Sequence, residues 1–184
     1  MTWFRRLLLH RLNRRRSKLT DWGLEHITVR SQDKVLDVGC DGGRMVAKLA
    51  ALAPSGRTYG IDSSEASVMA ARRANRNLVS EGRVEILEAS VTALPFADGI
   101  FDVVTAVEMP SFSRDLPAEP GEVLRVLKPG GTFALIAESY RGGRHDRLHL
   151  TVDEYEDRLT RAGYSAVEVI EEYNKGWLCA LGQS

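Results

Sequence analysis

The chain has 184 residues, 43% hydrophobic and 27% charged, with 25 basic residues against 25 acidic. That is the balance of one ordinary globular domain, and zero net charge excludes a global field aimed at nucleic acid. Two cysteines, Cys40 and Cys179, lie far apart with no C-x-x-C or His/Cys spacing, so no disulfide scaffold or metal site is expected and a reducing, cytoplasmic setting fits best.

The charge is unevenly spread. Residues 1 to 20 carry seven basic residues (Arg5, Arg6, Arg11, Arg14, Arg15, Arg16, Lys18) and no acidic one, which leaves 18 basic against 25 acidic elsewhere, net −7. Trp3, Phe4, Leu7, Leu8 and Leu12 can share one helical face with the arginines opposite. Residues 1–27 thus read as a basic amphipathic segment ahead of a domain spanning residues 28–184. The segment reads first as a helix packed on the domain with a solvated basic face, with a peripheral contact to an acidic membrane surface or a nucleic acid as the alternative. An organellar transit peptide fits less well, because serine is scarce there. No apolar run approaches the ~20 residues of a membrane span, and Leu7-Leu8-Leu9 is too short for a secretory core.

From Lys34 onward, short apolar runs alternate with helical patterns, the mark of βα units on a parallel sheet. Strands are expected at Lys34–Val38, Thr58–Ile61, Val84–Glu88, Phe101–Val107 and Thr132–Ala137, with two more around Tyr164–Ile170 and Trp177–Leu181. Several are apolar almost throughout, as when helices cover both sheet faces. Val46, Leu49, Ala50 and Ala53 mark one helix. Ala66, Ala70, Ala74 and Leu78, spaced by four, read as the apolar stripe of another. Val123, Leu124, Val126 and Leu127 form a short helix stopped by Pro129-Gly130-Gly131. Thr151 and Glu154 give a capping-box pattern, with Val152, Tyr155 and Leu159 inward and Gly163 as the stop.

The first strand ends at Asp37 and runs into Gly39-Cys40-Asp41-Gly42-Gly43 before a helix. Such a turn exposes backbone N–H groups at a helix N-terminus and lets a ligand lie against the chain. About twenty residues on, the second strand ends in Asp62, where a carboxylate can accept both hydroxyls of a ribose. A nicotinamide site would need G-x-G-x-x-G. Here the glycines are out of phase, and Asp37 and Asp41 would repel a diphosphate. An acidic strand end suits a ligand carrying an ammonium group.

Leu36-Asp37-Val38-Gly39-Cys40-Asp41-Gly42-Gly43 resembles the first motif of class I S-adenosylmethionine-dependent methyltransferases, and Gly60-Ile61-Asp62 the second. Ala93-Leu94-Pro95-Phe96 and Phe101-Asp102-Val103-Val104 resemble the third and fourth. Leu124-Arg125-Val126-Leu127-Lys128-Pro129-Gly130-Gly131 resembles the hallmark before the fifth strand. The likeness runs from about Ser17 to Ser184 and is nearest the type 11, ubiquinone-biosynthesis-like branch. It implies a Rossmann-like, doubly wound, seven-stranded, mostly parallel sheet with helices on both faces and the last strand antiparallel. It also implies S-adenosyl-L-methionine as methyl donor, a small-molecule acceptor and no metal. By the same resemblance Asp37 sits near the donor's amino group, Gly39, Cys40 and Gly43 underlie its methionine part, and Asp62 holds the ribose hydroxyls. Ser63 flanks the adenine, Ser90 stands where many members carry an acidic residue for the adenine amino group, and Val91 walls the adenine.

Three stretches depart from the pattern. Asp41 replaces the middle glycine, where a positive φ costs a non-glycine residue of order 1 kcal/mol. Its carboxylate, ~4–5 Å from the donor's own, would repel it by roughly 3–4 kcal/mol at an effective dielectric near 20. Weakened donor binding is the expectation, less whatever attraction to the sulfonium returns. After the fourth strand, where relatives often carry aromatic and histidine residues, Glu108-Met109-Pro110-Ser111-Phe112-Ser113-Arg114 leads into Pro117, Pro120 and Gly121 and favours a loop, read as a reshaped acceptor pocket or as a loop under relaxed demands. After the fifth, Glu138, Tyr140, His145 and His149 stand with Glu108 as candidate general bases, in a linker shorter than in relatives. Methyl transfer from a sulfonium chiefly needs alignment, so no catalytic triad is expected. Two alternatives stay open. One is a degenerate, donor-binding regulator or scaffold with weak or no turnover. The other is a nucleic-acid methyltransferase using the basic segment, against which the absence of an N/D-P-P-Y-type motif counts.

Overall fold

The computed structural model describes residues 17–109, 119–138 and 150–184. Most of the basic amphipathic segment, the loop from Pro110, and Tyr140, His145 and His149 lie outside those residues.

Residues 17–24, the first described, form a helix, α1. It continues β1 (Lys34–Val38), α2 (Arg44–Leu52), β2 (Arg57–Asp62), α3 (Glu65–Ala74), α4 (Arg76–Ser80), β3 (Val84–Glu88) and β4 (Phe101–Val107), then α5 (Glu119–Val126), β5 (Leu127–Glu138), α6 (Val152–Arg161), β6 (Ser165–Glu172) and β7 (Trp177–Gln183). The seven strands form one sheet in the order β3-β2-β1-β4-β5-β7-β6. β3, β2, β1, β4 and β5 pair in parallel, while β7 runs antiparallel to both β5 and β6. The doubly wound, mostly parallel sheet with an antiparallel last strand is therefore as expected.

Burial explains the continuous apolar runs. Along β1, Leu36 and Val38 face a cluster with Phe101, Val104, Val123, Val126 and Leu159. Val35 points the other way, into a cluster with Leu19 of α1, Met45 and Leu49 of α2, and Ile136. A strand covered on both faces has no polar face to show. The family-like stretches far from the glycine turn also find structural reasons. Lys128 Nζ donates to both Asp102 oxygens at 2.7 and 2.8 Å, and Asp102 accepts from the Lys34 N–H at 2.8 Å, so the amino ends of β1, β4 and β5 are tied together. Arg125 is held by Glu122, Asp98 and the carbonyls of Phe96 and Leu94.

Two expectations need correction. In the series Ala66, Ala70, Ala74 and Leu78 the alanines do not face the sheet: all three are exposed, and α3 buries Val68 and Ala71, with Asn75 buried at its end, while Leu78 packs against the same cluster. Strict spacing by four drifts about 40° per step around a 3.6-residue helix, so the series wanders off any one face. The helix also breaks at Asn75, leaving Leu78 in α4. Second, Leu127 belongs to β5, not to α5. It pairs with Phe101, and a register irregularity between Phe101 and Val103 absorbs Pro129-Gly130-Gly131. The capping box forms as read: Thr151 Oγ1 accepts from the Glu154 N–H, and the Glu154 carboxylate accepts from the Thr151 N–H at 2.8 Å.

Candidate functional site

β1 lies between β2 and β4, and the chain winds away from it in both directions. In such sheets the carboxyl ends beside the reversal leave a crevice. A crevice of about 260 Å³ opens there, lined by Thr20, Asp37, Gly39, Cys40, Asp41, Gly42, Arg44, Met45 and Val107. Of the residues expected to hold a donor, Asp37, Gly39 and Cys40 line it directly.

Asp37 is almost fully buried and pairs across the sheet with Thr105, whose hydroxyl donates to Asp37 Oδ1 at 2.8 Å. Burial pushes the carboxyl up to about 7; the Thr105 hydroxyl pulls against that shift, and the charge of Asp62 adds to it. Its folded pKa thus exceeds the unfolded one. The favourable contribution of the protonated form is complete below the usual carboxylate range and is lost as pH rises to about 7. Asp37→Asn, which keeps the acceptor for Thr105, should therefore gain stability over wild type between pH 5 and pH 8, on the order of 2 kcal/mol. Urea midpoints of both proteins at the two pH values check this; a pH-independent difference would show that the carboxyl is not shifted.

Asp62 is held from two sides. Its Oδ2 accepts from the Asp41 N–H at 3.0 Å and its Oδ1 from the Ser64 N–H at 2.9 Å. Each oxygen keeps further acceptor capacity, so the carboxylate is aimed before any ligand arrives. Asp41 adopts φ 45, a left-handed conformation that aspartate tolerates better than most residues. Gly42 has nothing within 4 Å of where a side chain would begin. Gly39, at φ +72, would place a Cβ 2.6 Å from Met109 Sδ, so the thioether rests over that glycine.

The other expected residues divide. Gly43, at φ +74, would drive a Cβ to 2.5 Å from Asn75 Nδ2 and 2.9 Å from Ala71 Cα. Its missing side chain makes room for α3. The Cys40 side chain is buried with Val46, Ala50 and Val68, so only its backbone is suited to underlie a ligand, and its thiol is pushed up to about 12, chiefly by burial. Ser63 and Ser90 are exposed beyond the ends of β2 and β3. The Ser90 hydroxyl bonds that of Thr92 at 2.8 Å, and Val91 is buried in the core. None of Ser63, Ser90 and Val91 lines the crevice.

Glu108 adopts φ 51, and its Oε1 accepts from the Glu138 N–H at 2.6 Å. That bond ties the carboxyl ends of β4 and β5 together. Nearby Tyr155 is pushed up to about 12, first by burial and then by the charge of Glu108. Among the described residues no group of His, Cys, Asp and Glu is placed to hold a metal ion, and no helix is long and apolar enough to cross a membrane.

Sequence reading missed Thr20, Thr105, Arg44 and Met109. Thr105 had a signal, a polar residue inside the otherwise apolar run 103–107. Thr20 had none, because which turn of α1 meets the crevice depends on packing.

The family model of the methyltransferase domain matches residues 36–135, more than half of the chain. The protein belongs to the methyltransferase family. A 24-methylenesterol C-methyltransferase of rice is 36% identical over 100 residues, 54% of this chain and 27% of that protein. The malonyl-[acyl-carrier protein] O-methyltransferase of Geobacter sulfurreducens is 31% identical over 158 residues, 76% of this chain and 58% of that protein. The chain thus spans under two thirds of the length of these relatives. The methyltransferase fold also superposes on a SAM-dependent methyltransferase from Aquifex aeolicus with a TM-score of 0.76 at 22% identity, covering 89% of this chain and 88% of that one.

Proposed function

We propose that this methyltransferase binds S-adenosyl-L-methionine across the carboxyl ends of β1 and β2 and delivers its methyl group to a small-molecule acceptor. The observation that carries the reading is the Asp62 carboxylate, fixed by the Asp41 and Ser64 amides beside a glycine-floored crevice. The residues present fit the donor. Asp62 has acceptor capacity for both ribose hydroxyls, Asp37 offers a buried carboxyl for the ammonium, and Gly39 and Gly42 offer backbone surface. Cys40 and Gly43 contribute backbone only, and Ser63, Ser90 and Val91 lie toward the adenine. The donor supplies an activated methyl group. The chain's own work is to orient the donor, shield it from water and hold the acceptor nucleophile in line. Glu108, locked to the Glu138 amide, shapes the acceptor side rather than moving a proton. Tyr140 and His145 remain the proposed bases if the acceptor must lose one.

The boundary at residue 27 stays the proposed limit of the basic segment, whose described part docks through Leu19 and Thr20. We place the enzyme in the cytoplasm, with its basic segment available for peripheral membrane contact. Nucleic acid is the less favoured partner, because the remainder of the chain is acidic. A donor-binding regulator without turnover is the second reading, motivated by Asp41 at φ 45 and by the Met109 thioether over Gly39. Calorimetry with S-adenosylmethionine, followed by isotope transfer to panels of small phenols, carboxylic acids and amines, separates the two. Donor binding with transfer supports an enzyme, and binding without transfer to any of them supports the regulator. Absence of binding at millimolar donor would sink both.

A further inference from the structure

We propose that Asp41 makes the crevice selective for the charged donor over its spent product, and so relieves product inhibition. The proposal rests on the donor reading above. The chain holds Asp41 at φ 45, where glycine would sit without strain, and the residue lines the crevice together with Asp37 and Arg44. Strain retained at a ligand crevice calls for a function of the side chain that causes it.

Charge supplies that function. The methionyl end of S-adenosylmethionine carries an ammonium, a carboxylate and a sulfonium. S-adenosylhomocysteine keeps the first two and has a neutral thioether in place of the third. Asp41 repels the carboxylate of both ligands and attracts the ammonium of both, and Arg44 acts on both groups with opposite sign. These shared contributions cancel in the ratio of the two affinities. What survives is the pull of the crevice charges on the sulfonium, and the Asp41 share of it favours the donor whatever its distance. The same carboxylate can therefore weaken both ligands in absolute terms and still improve their ratio. A glycine at this position supplies backbone clearance but no such discrimination.

The test is calorimetry at pH 8 and low ionic strength with three ligands: S-adenosylmethionine, S-adenosylhomocysteine and sinefungin, in which an amine-bearing carbon replaces the sulfonium and restores a cation. In Asp41→Asn, which tolerates the same φ, and in Asp41→Gly, the preference for donor over product should fall about three- to tenfold, the range for an exposed charge at high effective dielectric. Asp41→Glu should retain the preference, sinefungin should follow the donor, and about 0.5 M salt should shrink the wild-type preference. An unchanged ratio in the Asn and Gly variants, or sinefungin following the product, overturns the proposal while leaving donor binding intact. A wild type that binds none of the three overturns the donor reading and the proposal with it.

Discussion

Asp62→Asn is expected to weaken S-adenosylmethionine binding by about 3 kcal/mol, roughly a hundredfold, while leaving the protein folded. The carboxylate accepts the Asp41 N–H on one oxygen and the Ser64 N–H on the other. An asparagine has one oxygen, so its NH₂ must face one of those two donors and leave it without an acceptor. The ribose hydroxyls then meet a neutral amide with one remaining acceptor, in place of a charged group with two. Because Asp62 is only partly buried, water can repair the orphaned amide, and the loss of stability should stay near 1 kcal/mol. Ser63→Ala, one residue on and exposed, should change donor affinity by less than threefold. Titration calorimetry on the three proteins decides the matter. A Kd for Asp62→Asn within threefold of wild type would remove this residue from the donor site.

How far the sequence could be read follows from what each signal depends on. β1 was legible because Val35, Leu36 and Val38 are buried from both sides, and burial on two faces leaves no other pattern to write. The capping box at Thr151 was legible because it is closed within four residues. The face of α3 was not. Alanine is both the best helix former and too small to declare a face, so the series at 66, 70 and 74 marked a helix without marking its inside. The decision fell to Val68 and Ala71, which share one buried cluster with Cys40, Val46 and Ile86. The site divides in the same way. Asp37, Gly39 and Asp62 stand at strand ends whose position follows from the strand. Thr20 and Arg44 reach the crevice from helices and Met109 rests over Gly39 from a loop, and their approach is set by packing that no local pattern records. Gly43 was legible as a glycine, but its task of making room for α3 was not, since its neighbours at 71 and 75 are distant in the chain.

Gly43→Ala carries the largest expected loss of stability, about 3 kcal/mol. At φ +74 an alanine bears strain of about 1 kcal/mol. Its Cβ would also stand 2.5 Å from Asn75 Nδ2 and 2.9 Å from Ala71 Cα, an overpacking that costs about 1–3 kcal/mol. Neither neighbour can give way easily. Ala71 presents its backbone, and the buried Asn75 amide is held by two carbonyls, Gly43 at 3.0 Å and Ala71 at 2.9 Å. Gly42→Ala is the control one residue earlier. Nothing lies within 4 Å of its added methyl, so its stability should stay within about 0.5 kcal/mol of wild type. Urea denaturation of the two variants distinguishes a glycine required by the fold from one available to a ligand. Equal losses would mean that α3 does not press on the turn as described. The two glycines should then separate in binding as well. Gly42→Ala remains folded and loses donor affinity only through its methyl in the crevice. Gly43→Ala loses affinity in the folded fraction because the turn that presents the Asp41 amide to Asp62 has been pushed off α3.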